Sequence, residues 1–146
     1  MKKRTDELGF ELAQDPNARE FIQKNQDELI TESINEYIQK LIEQKHLTRA
    51  ELIRRTNLDR TYGYQLLKGM RKLNRNHLLQ IAFGLQLTLE ETQKLLKTAR
   101  EAVLYERDQR DVFIISALYN KYSIDMCDQM LHENGQDTLQ TLPKES

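Results

Sequence analysis

Apolar residues recur at intervals of three and four along most of this chain, and nowhere does a period of two last long enough to suggest a strand. A chain patterned this way is confined to short amphipathic helices packed face to face. Between residues 31 and 45, Ile34, Tyr37, Ile38, Leu41 and Ile42 define one such face. Thr48 with Glu51 and Thr88 with Glu91 are capping-box pairs, in which the hydroxyl and the carboxylate satisfy backbone N–H groups reciprocally at a helix start. Asp59 can cap a further helix running to about Lys68, and Gly69 supplies the left-handed residue that ends it. A helix from near Asn74 turns Leu78, Leu79, Ile81, Ala82 and Leu85 inward, and the one opened by Thr88 carries Leu89, Thr92, Leu95 and Leu96. Two more are expected at about 108–120 and 123–133, with Asn134-Gly135 closing regular structure. Thr48, Thr88 and Ser123 each follow a helix and a short turn, an echo that suggests helical hairpins stacked in a compact bundle. The first thirty residues are patterned least, with one short helix expected from Asp15-Pro16, carrying Phe21 and Ile22.

This predicts an all-α chain with an N-terminal arm (1–30), a helical domain (31–99), a C-terminal helical hairpin (100–134) and a polar tail (135–146). At 146 residues, with 38% apolar and 31% charged, there is material for one core. No apolar run approaches the ~20 residues that span a bilayer, and MKKRTDELGF has no apolar signal core, so a cytoplasmic protein is expected. Cys127 stands alone in an apolar pattern, which predicts a buried thiol rather than a disulfide, zinc or redox site.

The net charge of −1 hides a strong asymmetry. Residues 45–75 hold nine Lys or Arg against Glu51 and Asp59, a net +7 that leaves −8 for the rest of the chain. Such a basic segment is either a solvated face or a surface for a polyanion. Helical geometry favours the second. With Gly63 set inward, Leu66, Leu67 and Met70 cluster near it, while Thr61, Gln65 and Lys68 lie opposite and Tyr64 lies beside them. Arg60 stands in the first turn of the same helix. Gln can pair with adenine and Arg with guanine through two atoms each in the major groove, whereas Lys meets phosphate. Arg71, Lys72 and Arg75 follow in a loop suited to flanking phosphates, contacts that set register without reading sequence.

Only Thr56-Asn57-Leu58 separates this helix from the one before it, and so short a link forces the sharp angle of a helix-turn-helix. From Ile34 to about Ala99, through LTRAEL, DRTYGYQLLKGMRK and NHLLQIAFGLQLTLEE, the chain resembles the lambda-repressor-like, xenobiotic-response-element-type (XRE) helix-turn-helix family. The segment LYERDQRDVFIISALYNKYSIDMCDQML is similar to the appended hairpin of a bacterial subgroup of these regulators. The resemblance implies a five-helix DNA-binding bundle. It also implies base readers at Arg60, Thr61, Tyr64 and Gln65, and phosphate contacts at Arg49, Lys68, Arg71, Lys72 and Arg75. Three positions depart from the family pattern: Gly63 where Ile or Val is usual, Arg49 in place of Gln, and Leu73 in place of a proline after the basic loop.

The function this predicts is a sequence-specific transcriptional regulator in a bacterial cytoplasm, binding double-stranded DNA as a homodimer and using no cofactor. The competing reading is an interaction module, an antitoxin or adaptor whose protein partner sits on the C-terminal hairpin. Val112, Phe113, Ile114, Ile115, Ala117, Leu118 and Tyr119 make one hairpin helix apolar nearly all round, fit for a central position or a dimer seam. Catalysis has little support. His46, His77 and His132 share no face or metal spacing, no glycine-rich phosphate loop is present, and no ligand pocket is legible.

Overall fold

The computed structural model describes residues 3–29 and 33–140. Among them are nine α-helices and one short 3-10 turn, with no strand, arranged in two compact units, Met1–Thr31 and Glu32–Ser146.

The first unit contains α1 (Thr5–Gln14), α2 (Ala18–Lys24) and the 3-10 turn Gln26–Glu28. The helix expected from Asp15-Pro16 is α2, which starts two residues later than expected, and α1 before it was not anticipated; Pro16 separates the two. A residue before proline is driven into extended backbone. Asp15 adopts φ −139°, ψ 96°, which stops α1 at Gln14. The cap of α2 falls instead on Asn17, whose side chain accepts the Glu20 N–H at 3.1 Å. Phe21 is half-buried and Ile22 exposed. What orders the unit is polar: Lys3 Nζ donates to Glu11 at 2.7 Å and to the buried Asn25 at 2.8 Å. Those hydrogen bonds from Lys3 and Asn25 hold the Glu11 carboxyl below its usual range.

The second unit contains α3 (Ile34–Gln44), α4 (Arg49–Thr56), α5 (Arg60–Leu67), α6 (Arg75–Gly84), α7 (Leu89–Thr98), α8 (Gln109–Tyr119) and α9 (Ile124–Glu133). The expected start of α3 near Thr31 lies outside the described residues; Ser33 caps the observed helix by accepting the Glu36 N–H. The central element is α6, buried at every position from Leu78 to Gly84. Against it pack α4, α7 and α9, while α5 leans on α3 and α4, and α8 on α7 and α9. The α8–α9 hairpin therefore shares one core with the preceding helices.

Two glycines permit this closeness. A Cβ on Gly84 would lie 2.9 Å from Leu52 Cδ1 and 3.0 Å from Thr56 Cγ2, so α4 and α6 touch where no methyl fits. At Gly63 a Cβ would meet the Ile53 side chain at 3.1 Å, which accounts for an inward glycine on α5 where the resemblance leads to the expectation of a branched residue.

The echo of caps is a repeated connector. His46-Leu47-Thr48, Gln86-Leu87-Thr88 and Lys121-Tyr122-Ser123 each place a left-handed residue (φ 57°, 54° and 56°), an inward apolar residue and a helix cap in succession. In each, the apolar residue's N–H bonds back five residues, to Ile42, Ala82 and Ala117 carbonyls at 3.0, 2.9 and 2.9 Å. This satisfies carbonyls orphaned at the helix end, as in a Schellman motif. The same three-residue joint thus makes the α3–α4, α6–α7 and α8–α9 hairpins.

Two expectations for the C-terminal region are amended. On α8, Ile114, Ile115, Ala117 and Leu118 are buried, but Val112 and Tyr119 are 44% and 70% exposed, so the helix is neither central nor fully covered. After Gly135 (φ 70°), residues 136–140 fold back, with Leu139 buried and its N–H donating to Asp128 at 2.7 Å. Cys127 is enclosed, and burial together with the neighbouring Asp128 carboxylate pushes its thiol up to about 12.

Candidate nucleic-acid interface

The α4–turn–α5 unit is built from local signals. Thr48 and Glu51 form the expected capping box on α4. At the other end of α4, the buried Gln80 amide donates to the Thr56 carbonyl at 3.2 Å, and the Thr56 hydroxyl donates to the Ile53 carbonyl at 2.8 Å. Asn57 takes the left-handed conformation (φ 58°), a geometry Asn tolerates better than most residues, and its amide donates to Asp125 on α9 at 3.0 Å. Asp59 then caps α5 by accepting the Tyr62 N–H at 3.1 Å.

The far end of α5 is held as firmly. Gly69 is left-handed (φ 80°), and the Met70 N–H returns to the Gln65 carbonyl at 2.9 Å. Asn35 of α3 donates to the Leu66 and Leu67 carbonyls at 2.9 and 3.0 Å, bonding two terminal carbonyls of α5. Met70, expected inward, is 68% exposed, because the helix ends at Leu67 and the wheel no longer applies beyond Gly69.

The outer face of α5 presents Arg60, Thr61 and Lys68 to solvent, with Gln65 and Tyr64 half-buried beside them and Tyr64 packed against the core. Arg60, Lys68 and Lys72 make no ion pair among the described residues. Arg71 is organised: its Nε donates to Gln65 Oε1 at 2.6 Å, and its guanidinium lies 5.2 Å over the Tyr62 ring. Tyr62 in turn meets His77 edge-on at 5.6 Å between centroids. The Gln65 oxygen keeps one lone pair and both amide hydrogens for an external partner. Burial holds His77 below its ordinary value, so the ring is neutral near pH 7, and its Nδ1 accepts the Asn74 N–H at 3.2 Å to complete the α6 cap. Arg49 is half-buried, its Nε directed to Gln39 Oε1 at 2.9 Å, which leaves its terminal nitrogens for other partners.

Arg75 is the exception to the expected phosphate set. Its terminal nitrogens grip both oxygens of the buried Asp111 at 3.0 and 2.9 Å, and it also donates to the Ala102 and Val103 carbonyls. A guanidinium so engaged fastens α6 to α8 and the segment before it, and it is not offered to a ligand. Asn35, Gln39 and Gln80 were missed by the sequence reading. The usable signal was the spacing of four between Asn35 and Gln39, which sets two amides on one flank of α3.

No helix among the described residues is long and apolar enough to cross a membrane, and no described group of three or more His, Cys, Asp or Glu could hold a metal ion. Neither a curated protein nor a solved structure matches the chain. Residues 37–92 match the family model of the Cro/C1-type HTH DNA-binding domain. That match begins within α3, contains α4, the turn, α5 and α6, and ends on α7. Residues 37–92 are thus similar to a Cro/C1-type helix-turn-helix DNA-binding domain, which is consistent with the lambda-repressor-like, XRE family.

Proposed function

We propose that the protein is a sequence-specific transcriptional regulator that lays α5 in the major groove of double-stranded DNA. The observation that carries this reading is the outer face of α5 itself. An Arg, a Thr and a Gln head group stand on the exposed side of a helix fixed at both ends, and Lys68, Arg71 and Lys72 beyond them have no carboxylate partner among the described residues. In this reading Arg60, Thr61 and Gln65 read base edges and Tyr64 offers its ring to a thymine methyl or a sugar. Arg49, Lys68, Arg71 and Lys72 hold phosphate. Arg75 is left out because Asp111 occupies it.

One helix of this kind reads only a few base pairs, so the functional species is a two-fold dimer on half-sites about 34 Å apart. Val112 and Tyr119 support the hairpin as the dimer surface: they stand seven residues apart on one side of α8 and are both exposed. The same stripe supports the alternative of a protein partner on the hairpin.

Selection from random duplexes at near-physiological salt tests the reading. The wild type is expected to enrich a palindromic site, and the Gln65→Ala, Lys68→Ala double variant to lose that enrichment. Enrichment untouched by the variant would move the function to the hairpin and its partner. Taken singly, Gln65→Ala should cost about 1–3 kcal/mol on the preferred site alone. Lys68→Ala should weaken all sequences alike and reduce the salt slope by about 0.9.

A further inference from the structure

A groove of about 700 Å³ runs between the α6–α7 connector and the α8–α9 connector, within the ~300–1,000 Å³ typical of small-molecule sites. The sequence reading anticipated no pocket, because its walls come from three segments (Arg55, residues 83–89 and residues 118–124) that are far apart in the chain. Phe83, Leu87, Leu118 and Ile124 supply an apolar lining, and Arg55 from the last turn of α4 and Lys121 from the α8–α9 connector add two cations. Among the described residues no carboxylate lines the groove. Neither cation has an ion-pair partner among the described residues.

That pairing of surfaces selects a ligand chemistry. A neutral apolar molecule would cover the lining and leave both cations without a counter-charge. A phosphate polyanion would meet the cations and gain nothing from the apolar walls. A molecule with one anionic head and an apolar tail satisfies both, since a charge-assisted hydrogen bond to Arg or Lys adds to the burial of the tail. We propose that this groove binds a small amphipathic carboxylate, bridging α4 of the helix-turn-helix to the C-terminal hairpin. The site does not depend on which DNA sequence, if any, α5 reads.

Isothermal titration of the full chain with decanoate, decanol and acetate tests it. Decanoate should bind with one site per chain, and decanol and acetate at least about tenfold more weakly. The Arg55→Gln, Lys121→Gln variant removes the charges at exposed positions, and glutamine already occupies the equivalent connector position at Gln86. Its thermal unfolding should match the wild type, and its decanoate affinity should fall about tenfold, to the level of decanol. Absence of saturable decanoate binding up to about 1 mM, equal affinity for decanol, or an unchanged affinity in the folded double variant would each overturn the assignment.

Discussion

The bond between Arg75 and Asp111 separates two roles for one arginine that the sequence alone would place beside DNA. Asp111 is buried, with 6% of its side chain exposed against 23% for Arg75, and it also accepts the Tyr105 N–H at 3.0 Å. Breaking a buried pair costs about 3–5 kcal/mol, because the survivor keeps an uncompensated charge. The unequal exposure makes the two deletions unequal. Arg75→Met strands a carboxylate that water hardly reaches, for a loss of about 3–5 kcal/mol. Asp111→Ala strands a guanidinium that can partly rehydrate and keeps two carbonyl partners, for about 2–3 kcal/mol. The double variant Arg75→Met, Asp111→Leu leaves no stranded charge and should recover most of the loss. Urea denaturation at pH 7 measures all four proteins, and DNA binding of the folded double variant across a salt series gives the second readout. A phosphate-contacting Arg75 would reduce the slope of log K against log salt by about 0.9; a structural Arg75 leaves it unchanged. A loss of slope, or single-variant costs below about 1 kcal/mol as at an exposed pair, would refute the reasoning.

Three further expectations concern the frame that holds α5. Gly84→Ala drives a methyl into Leu52 and Thr56; overpacking of about 1–3 kcal/mol outweighs the roughly 1 kcal/mol gained in helix propensity, and a more stable variant in urea would contradict the close contact. His77 titrates below its ordinary 6.5 in the folded chain, so the unfolded chain takes up the proton first and stability falls as pH drops below about 6.5. His77→Gln keeps an acceptor in the α6 cap and should flatten that slope, whereas an unchanged pH profile would place its origin elsewhere. Cys127, with its thiol raised to about 12 and no exposed surface, should resist iodoacetamide at pH 8 until urea unfolds the chain, and rapid alkylation of the native protein would show the site to be open.

What could be read from the sequence is what is decided within a few residues. Thr48 with Glu51, Asp59, Gly69, Asn74, Thr88 with Glu91, Asp108 and Ser123 all sit at helix ends in the structure, because caps depend on side chains three positions away. The misreading of the arm is local too: Pro16 was taken as a first-turn residue, and its stronger effect was on Asp15 before it. Long-range facts were not legible. Nothing within ten residues of Arg75 reveals that its partner is Asp111, nor of Asn35 that it will bond the end of α5. For the candidate interface, periodicity correctly placed Thr61 and Lys68 outside and Leu66 and Leu67 inside, but it could not foresee Arg71 folding back onto Gln65.

The contact at Gly84 bears on how a load would travel through the molecule. Leu52 and Thr56 rest against a backbone with no room for a methyl, and Leu52 itself is 1% exposed. Close-packed interiors compress little, so a joint of this kind passes displacement on instead of absorbing it. Gly84, on the wall of the groove, thus sits directly against Thr56 at the end of α4, one residue from the turn that leads into α5. The side chains with open space around them, Lys68, Lys72 and Tyr119 among them, lie away from this contact.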